Sequence, residues 1–99
     1  MSEESVLEVS FQRQPAIVTR RVAEEVILVP VTGRMAQEGS LYTLNGTSAF
    51  LWEQLDGRRT GRDLVRELKE TYDVEEAPAE SDVRTFLTQL QGIGAIASA

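Results

Sequence analysis

Ninety-nine residues, 41% hydrophobic and 26% charged, are enough for one domain with a modest core. The formal charge of −6 disfavours contacts with phosphates and with anionic membrane surfaces, so nucleic-acid and membrane partners are not expected. The chain has no Cys and no His, which removes disulfides, thiol nucleophiles, Cys/His zinc sites and the commonest general base.

The first residues, MSEESVLEVS, are acidic and do not resemble a secretory signal. No apolar run approaches the roughly 20 residues that a membrane span needs. The expected location is therefore the cytoplasm. Residues 1–14 read as a flexible N-terminal arm in which Val9 and Phe11 can pack on the domain or on a neighbouring chain. Residues 15–97 read as a single domain.

Ala16 to Thr19 is a short β-branched run after Pro15. Val26 to Val31 is a stronger strand signal. Ile27, Leu28 and Val29 are consecutive and apolar, which predicts cover on both faces and a place in the middle of a sheet. Pro30 cannot donate to a ladder and belongs at the end of that strand or on a bulge. Thr32 to Gly39, polar with Gly near each end, suits a hairpin loop. Ser40 to Leu44 then alternates polar and apolar residues as an exposed strand does. Three short strands with short connections predict an antiparallel meander whose last strand lies at an edge.

Asn45-Gly46 breaks the last strand, and Asn45 or Thr47 can cap a helix. Ser48, Leu51, Trp52 and Leu55 form one inward stripe of that helix, which Asp56-Gly57 ends. A second helix begins at the cap Thr60, with Asp63 three residues on as a capping box. Leu64, Val65, Leu68 and Tyr72 form its inner stripe. One flank carries Arg62, Arg66 and Lys69, the other Asp63, Glu67 and Glu70. Such flanks usually mean a solvated helix face, with docking of an acidic partner on the basic one as the functional alternative. Asp73 to Glu80, containing Pro78, reads as an acidic linker. A third helix follows from the cap Ser81, with Val83, Phe86, Leu87 and Leu90 inward, Gly92 and Gly94 at its end, and a last apolar contact from Ala95-Ile96.

The fold class is α+β, a winged helix-turn-helix-like arrangement of a three-stranded antiparallel sheet followed by three helices. Catalytic chemistry is hard to find: the carboxylates fall on surfaces, caps and linkers, and neither a phosphate loop nor a metal-ligand cluster is present. No cofactor is called for. Trp52 reads as core rather than as a stacking residue, and Glu53 and Asp56 read as helix surface and helix end. A winged helix would read DNA with its third helix, whose exposed positions are Asp82, Arg84, Thr85, Thr88, Gln89 and Gln91. One Arg beside one Asp does not supply the phosphate contacts that affinity requires. The edge strand Leu41 to Leu44 is the better candidate, because its unpaired backbone groups can accept an extended peptide as an added strand. On residues alone this reading stands level with an edge that is merely short and protected.

YTLN, followed by Ala49 to Trp52 and Leu55-Asp56-Gly57, resembles the signature of the PqqD family of small winged-helix-like precursor-peptide recognition elements. IVTRRVAEEVILVPV upstream, and RRTGRDLVRELKETYDV and SDVRTFLTQLQGIGAI downstream, extend the resemblance from about Pro15 to Ile96. It implies a non-enzymatic peptide chaperone. Such a protein binds the leader of a ribosomally made precursor peptide and presents it to a modifying enzyme, often a radical S-adenosylmethionine protein, as in pyrroloquinoline quinone or related biosynthesis. Carried over by position, the peptide-binding residues would be Leu41, Tyr42, Thr43 and Leu44 on the strand, and Asp82, Val83, Phe86 and Gln89 on the third helix. Tyr42, Leu44 and Asn45 match the family's strand-to-helix turn. Trp52, Asp56 and Gly57 match its first helix as structural residues. The loop Thr32 to Gly39 departs from the compact lasso-peptide relatives and resembles a divergent branch. The alternative reading is a winged-helix regulator or protein–protein adaptor. An exposed edge beside a loose arm leaves a monomer and a strand-exchanged dimer both open.

Overall fold

The computed structural model describes residues 3–39 and 41–99. Ser40, together with Met1 and Ser2, lies outside the described residues. A 3-10 helix, Glu3–Glu8, leads into strands β1 (Phe11–Arg13), β2 (Ile17–Val22) and β3 (Glu25–Pro30). A short helix α1 (Gly33–Glu38) and strand β4 (Tyr42–Leu44) follow, then helices α2 (Gly46–Gln54), α3 (Gly61–Tyr72) and α4 (Glu76–Gly92), and a last strand β5 (Ile96–Ser98). Strands β2, β3 and β4 make the expected antiparallel meander, with β3 central and β4 at an edge. A second, two-stranded sheet pairs β1 with β5.

One face of β3 is buried: Val26 and Leu28 are at most 1% exposed, and Pro30, the last residue of the strand, is buried with them. The other face, Ile27 and Val29, is only half-buried. Burial on both sides was the expectation from three consecutive apolar residues. The sheet instead has helices packed fully on one side, with α1 against β3 and Val18 exposed. Residues Thr32 to Gly39 are thus not a plain hairpin loop but mostly the helix α1.

Beneath β3 sits Trp52 of α2, fully buried with Leu51 and Leu55 as the stripe predicts. Burying side chains of this size contributes on the order of 1.5–3 kcal/mol each. The indole N–H donates to Thr19 Oγ1 on β2 at 3.0 Å, and the Arg13 guanidinium stands 5.2 Å from the ring centroid. The same guanidinium donates to the Trp52 carbonyl at 2.9 Å. Trp52 thereby joins β1, β2 and α2, with its one polar atom satisfied.

Helix α3 starts as its sequence says. Thr60 Oγ1 accepts from the Asp63 N–H, and the Asp63 carboxylate accepts from the Thr60 N–H at 2.9 Å. Leu64, Val65 and Leu68 are buried, but Tyr72 is 43% exposed, its ring edge-on to Phe50 with centroids 5.4 Å apart. The inner stripe therefore ends at Leu68. Helix α4 begins at Glu76, five residues before the expected cap Ser81. Pro78 is its third residue and does not break it, because N–H groups of the first turn have no intrahelical acceptor to lose.

The largest departure is at the N-terminus. Residues read as an arm fold back on the domain: Leu7 and Phe11 are 0% and 2% exposed within the core. Main-chain bonds fix them there. The Gly57 N–H donates to the Phe11 carbonyl at 3.0 Å, the Gly61 N–H to the Val9 carbonyl at 3.1 Å, and the Ala99 N–H to the Ser10 carbonyl at 2.9 Å. Gly61 permits the contact, since a Cβ there would sit 2.6 Å from Leu7 Cα and 2.9 Å from the Val6 carbonyl.

Candidate peptide-binding site

The strand-to-helix turn sets the site. Leu44, the last residue of β4, is buried. Asn45 is extended and holds the cap position of α2, and Gly46 follows with φ +54°, a left-handed geometry that Gly adopts without a Cβ penalty. The Ser48 hydroxyl closes the turn, accepting from the Asn45 N–H at 3.2 Å and donating to its carbonyl at 2.7 Å. No linker separates strand from helix, so the position of β4 is fixed by the packing of α2.

Strand β4 has one partner, β3; among the described residues no strand lies on its other side. Along this strand, and bounded on the far side by α4, lies a groove of about 280 Å³. Tyr42, Thr43 and Leu44 line it from β4, Thr47 and Ser48 from α2, and Asp82, Thr85, Phe86, Gln89 and Leu90 from α4. Leu44, Phe86 and Leu90, each at most 5% exposed, bring its apolar surface. Tyr42 Oη donates to Gln89 Oε1 at 3.3 Å and ties strand to helix at one end.

Six of the eight residues expected for peptide binding are therefore brought to one groove: Tyr42, Thr43, Leu44, Asp82, Phe86 and Gln89. Two are not. Leu41 precedes the strand and is 62% exposed, while Val83 is fully buried in the core, one residue round the helix from the groove face. The sequence reading left out Thr47, Ser48, Thr85 and Leu90. Thr85 stands three positions after Asp82 and Leu90 four after Phe86, so helical periodicity carried a signal for them.

The basic flank of α3 is engaged within the molecule. Arg62 pairs with Glu8 and Glu80, Arg66 with Asp63, and Lys69 with Glu76. Two carboxyl groups are held below the usual Asp range: Asp63 chiefly by the Thr60 N–H, and Asp56 by the N–H groups of Arg59 and Arg58. Both are caps and turns, away from the groove. Among the described residues no helix is long and apolar enough to cross a membrane.

A short antiparallel sheet, an edge strand run directly into a helix, and a groove between that edge and the last helix define a small winged-helix-like α+β domain. The family model for coenzyme PQQ synthesis protein D (PqqD) matches residues 24–96, and the chain belongs to that family. Comparison with curated protein sequences gives no match. Two solved structures share the fold. One, described as TbiB1 in complex with the TbiA(beta) leader peptide, has a TM-score of 0.72 and 22% identity, over 86% of this chain and 93% of that one. The other, lasso peptide synthetase B1 complexed with the leader peptide, has a TM-score of 0.73 and 24% identity, over 89% of this chain and 98% of that one.

Proposed function

We propose that this protein binds the leader of a ribosomally made precursor peptide by strand addition to β4 and presents it to a modifying enzyme. The observation that carries the reading is the groove along β4, whose apolar surface and hydrogen-bonding side chains suit alternate residues of an extended peptide. Membership of the PqqD family supports it. So do two structures of the same fold, each of a protein complexed with a leader peptide.

The role is that of a non-catalytic peptide chaperone in the cytoplasm. With neither His nor Cys in the chain, the chemistry is left to the partner enzyme, a radical S-adenosylmethionine protein or another peptide-modifying enzyme. Arg62, Arg66 and Lys69 can dock that partner only by exchanging their present ion pairs, which at exposed positions costs about 0–1 kcal/mol each. In the absence of peptide, the β4 edge is also open to a second copy.

The test is titration calorimetry with the leader encoded beside the gene. Saturable binding is expected, weakened about tenfold or more in Thr43→Pro, which strips a donor from β4. Unchanged affinity in a Thr43→Pro protein with a native circular dichroism spectrum would refute strand addition.

A further inference from the structure

The groove carries one charged side chain, Asp82, and it is an anion. Its acidic neighbours on α4 are neutralised within the molecule: Glu76 by Lys69, and Glu80 by Arg62 and Arg84. Asp82 is exposed at the groove and has no ion-pair partner among the described residues. Among the described residues no Lys or Arg lines the groove, and the chain as a whole carries −6. A bound acidic residue at this point would meet an uncompensated carboxylate; a Lys or Arg would meet its complement.

The spacing of the groove side chains adds a register. Asp82, Phe86 and Leu90 stand at i, i+4 and i+8 on one stripe of α4. Four helical residues rise about 6 Å. Two residues of an extended strand rise about 6.6 Å and return to the same face. A strand running alongside α4 in the groove would meet Asp82, Phe86 and Leu90 with its alternate residues. This match holds in either strand direction.

We propose that the groove selects leaders in which a Lys or Arg is separated by one residue from an apolar side chain, the cation facing Asp82 and the apolar group resting on Phe86. The proposal rests on the peptide-binding reading above and adds a specificity rule to it. Asp82 is the residue that sets the charge preference, and Phe86 with Leu90 sets the distance at which the apolar residue must follow.

Fluorescence anisotropy with the labelled leader encoded beside the gene tests this. The wild-type protein, Asp82→Asn and Asp82→Lys are each measured at low and high salt, against the native leader and a leader whose basic residue is replaced by Glu. Circular dichroism confirms folding, which an exposed helix position should not disturb. Asp82→Asn is expected to weaken the native leader about two- to five-fold, the range for a pair at the rim of an interface, with the difference shrinking at high salt. Asp82→Lys should weaken it further and recover binding with the Glu-substituted leader. A wild-type protein that binds the native leader with an affinity indifferent to Asp82 overturns the charge rule and leaves peptide binding standing. So does tight binding by a leader with no basic residue beside its apolar one. A folded wild-type protein that binds no leader removes the underlying reading and the rule together.

Discussion

Two strands of this domain are treated in opposite ways. Strand β1 is closed in: β5 pairs with it, Ser10 just before it bridges to Thr60, the cap of α3, and the Gly57 N–H bonds to it from the turn after α2. Strand β4 is as short, but it pairs on one side only and faces a groove on the other. The difference separates a side that holds the fold from an edge left open to a partner. Satisfied backbone groups on β1 anchor the chain ends, whereas β4 keeps its position through Leu44 and α2 and leaves its edge available.

Variants on the closed side should lower stability and leave the groove intact. The largest effect is expected from Phe11→Ala, which empties a core site 2% exposed and should cost about 3–5 kcal/mol in denaturant unfolding. A loss near zero would mean that the N-terminal segment is the loose arm its sequence suggests. Gly61→Ala comes next. Its new methyl meets main-chain atoms of Leu7 and Val6, which cannot rotate away, so a loss of about 1–3 kcal/mol is expected from thermal melts.

Thr60→Ala should cost about 1 kcal/mol by removing the cap of α3. Asp63, on the other half of that cap, links it to pH. Its carboxyl titrates lower in the folded protein than in the unfolded chain, whose value is about 3.9. The cap's contribution is therefore complete above that value and fades as the pH falls through the lower, folded pKa. Melts of Asp63→Asn should show a shallower acid limb below about pH 4 than the wild type, and an unchanged limb would contradict the linkage.

The smallest change in stability is expected on the open side. Tyr42→Phe removes one long, exposed hydrogen bond to Gln89 and should stay within about 0.5 kcal/mol of wild type. Any effect on leader affinity from this variant then reports on the groove rather than on the fold.

How far these regions could be read from the sequence follows from the range of the interactions that build them. The β4–α2 turn and the Thr60–Asp63 box are local, written within four residues, and were legible. The groove face of α4 was legible in part, because Asp82, Phe86 and Gln89 follow helical periodicity, but Val83 belongs to the core face and only packing reveals that. Strand β5 is three residues long after two glycines, and its partner β1 is more than eighty positions away. The Trp52–Thr19 bond likewise joins residues 33 apart. Nothing local marks either contact. The start of α4 was missed for a different reason, since Pro78 signals a break in a helix interior but not in a first turn.

The central claim, that recognition occurs on β4 and α4 while the β1–β5 side only holds the fold, is tested most directly by amide NMR of the protein titrated with its leader peptide. The account predicts shift changes concentrated on Tyr42–Leu44 and on Asp82–Leu90, with Phe11–Arg13 and Ile96–Ser98 nearly still. Changes concentrated on β1 and β5, with β4 unmoved, would contradict it.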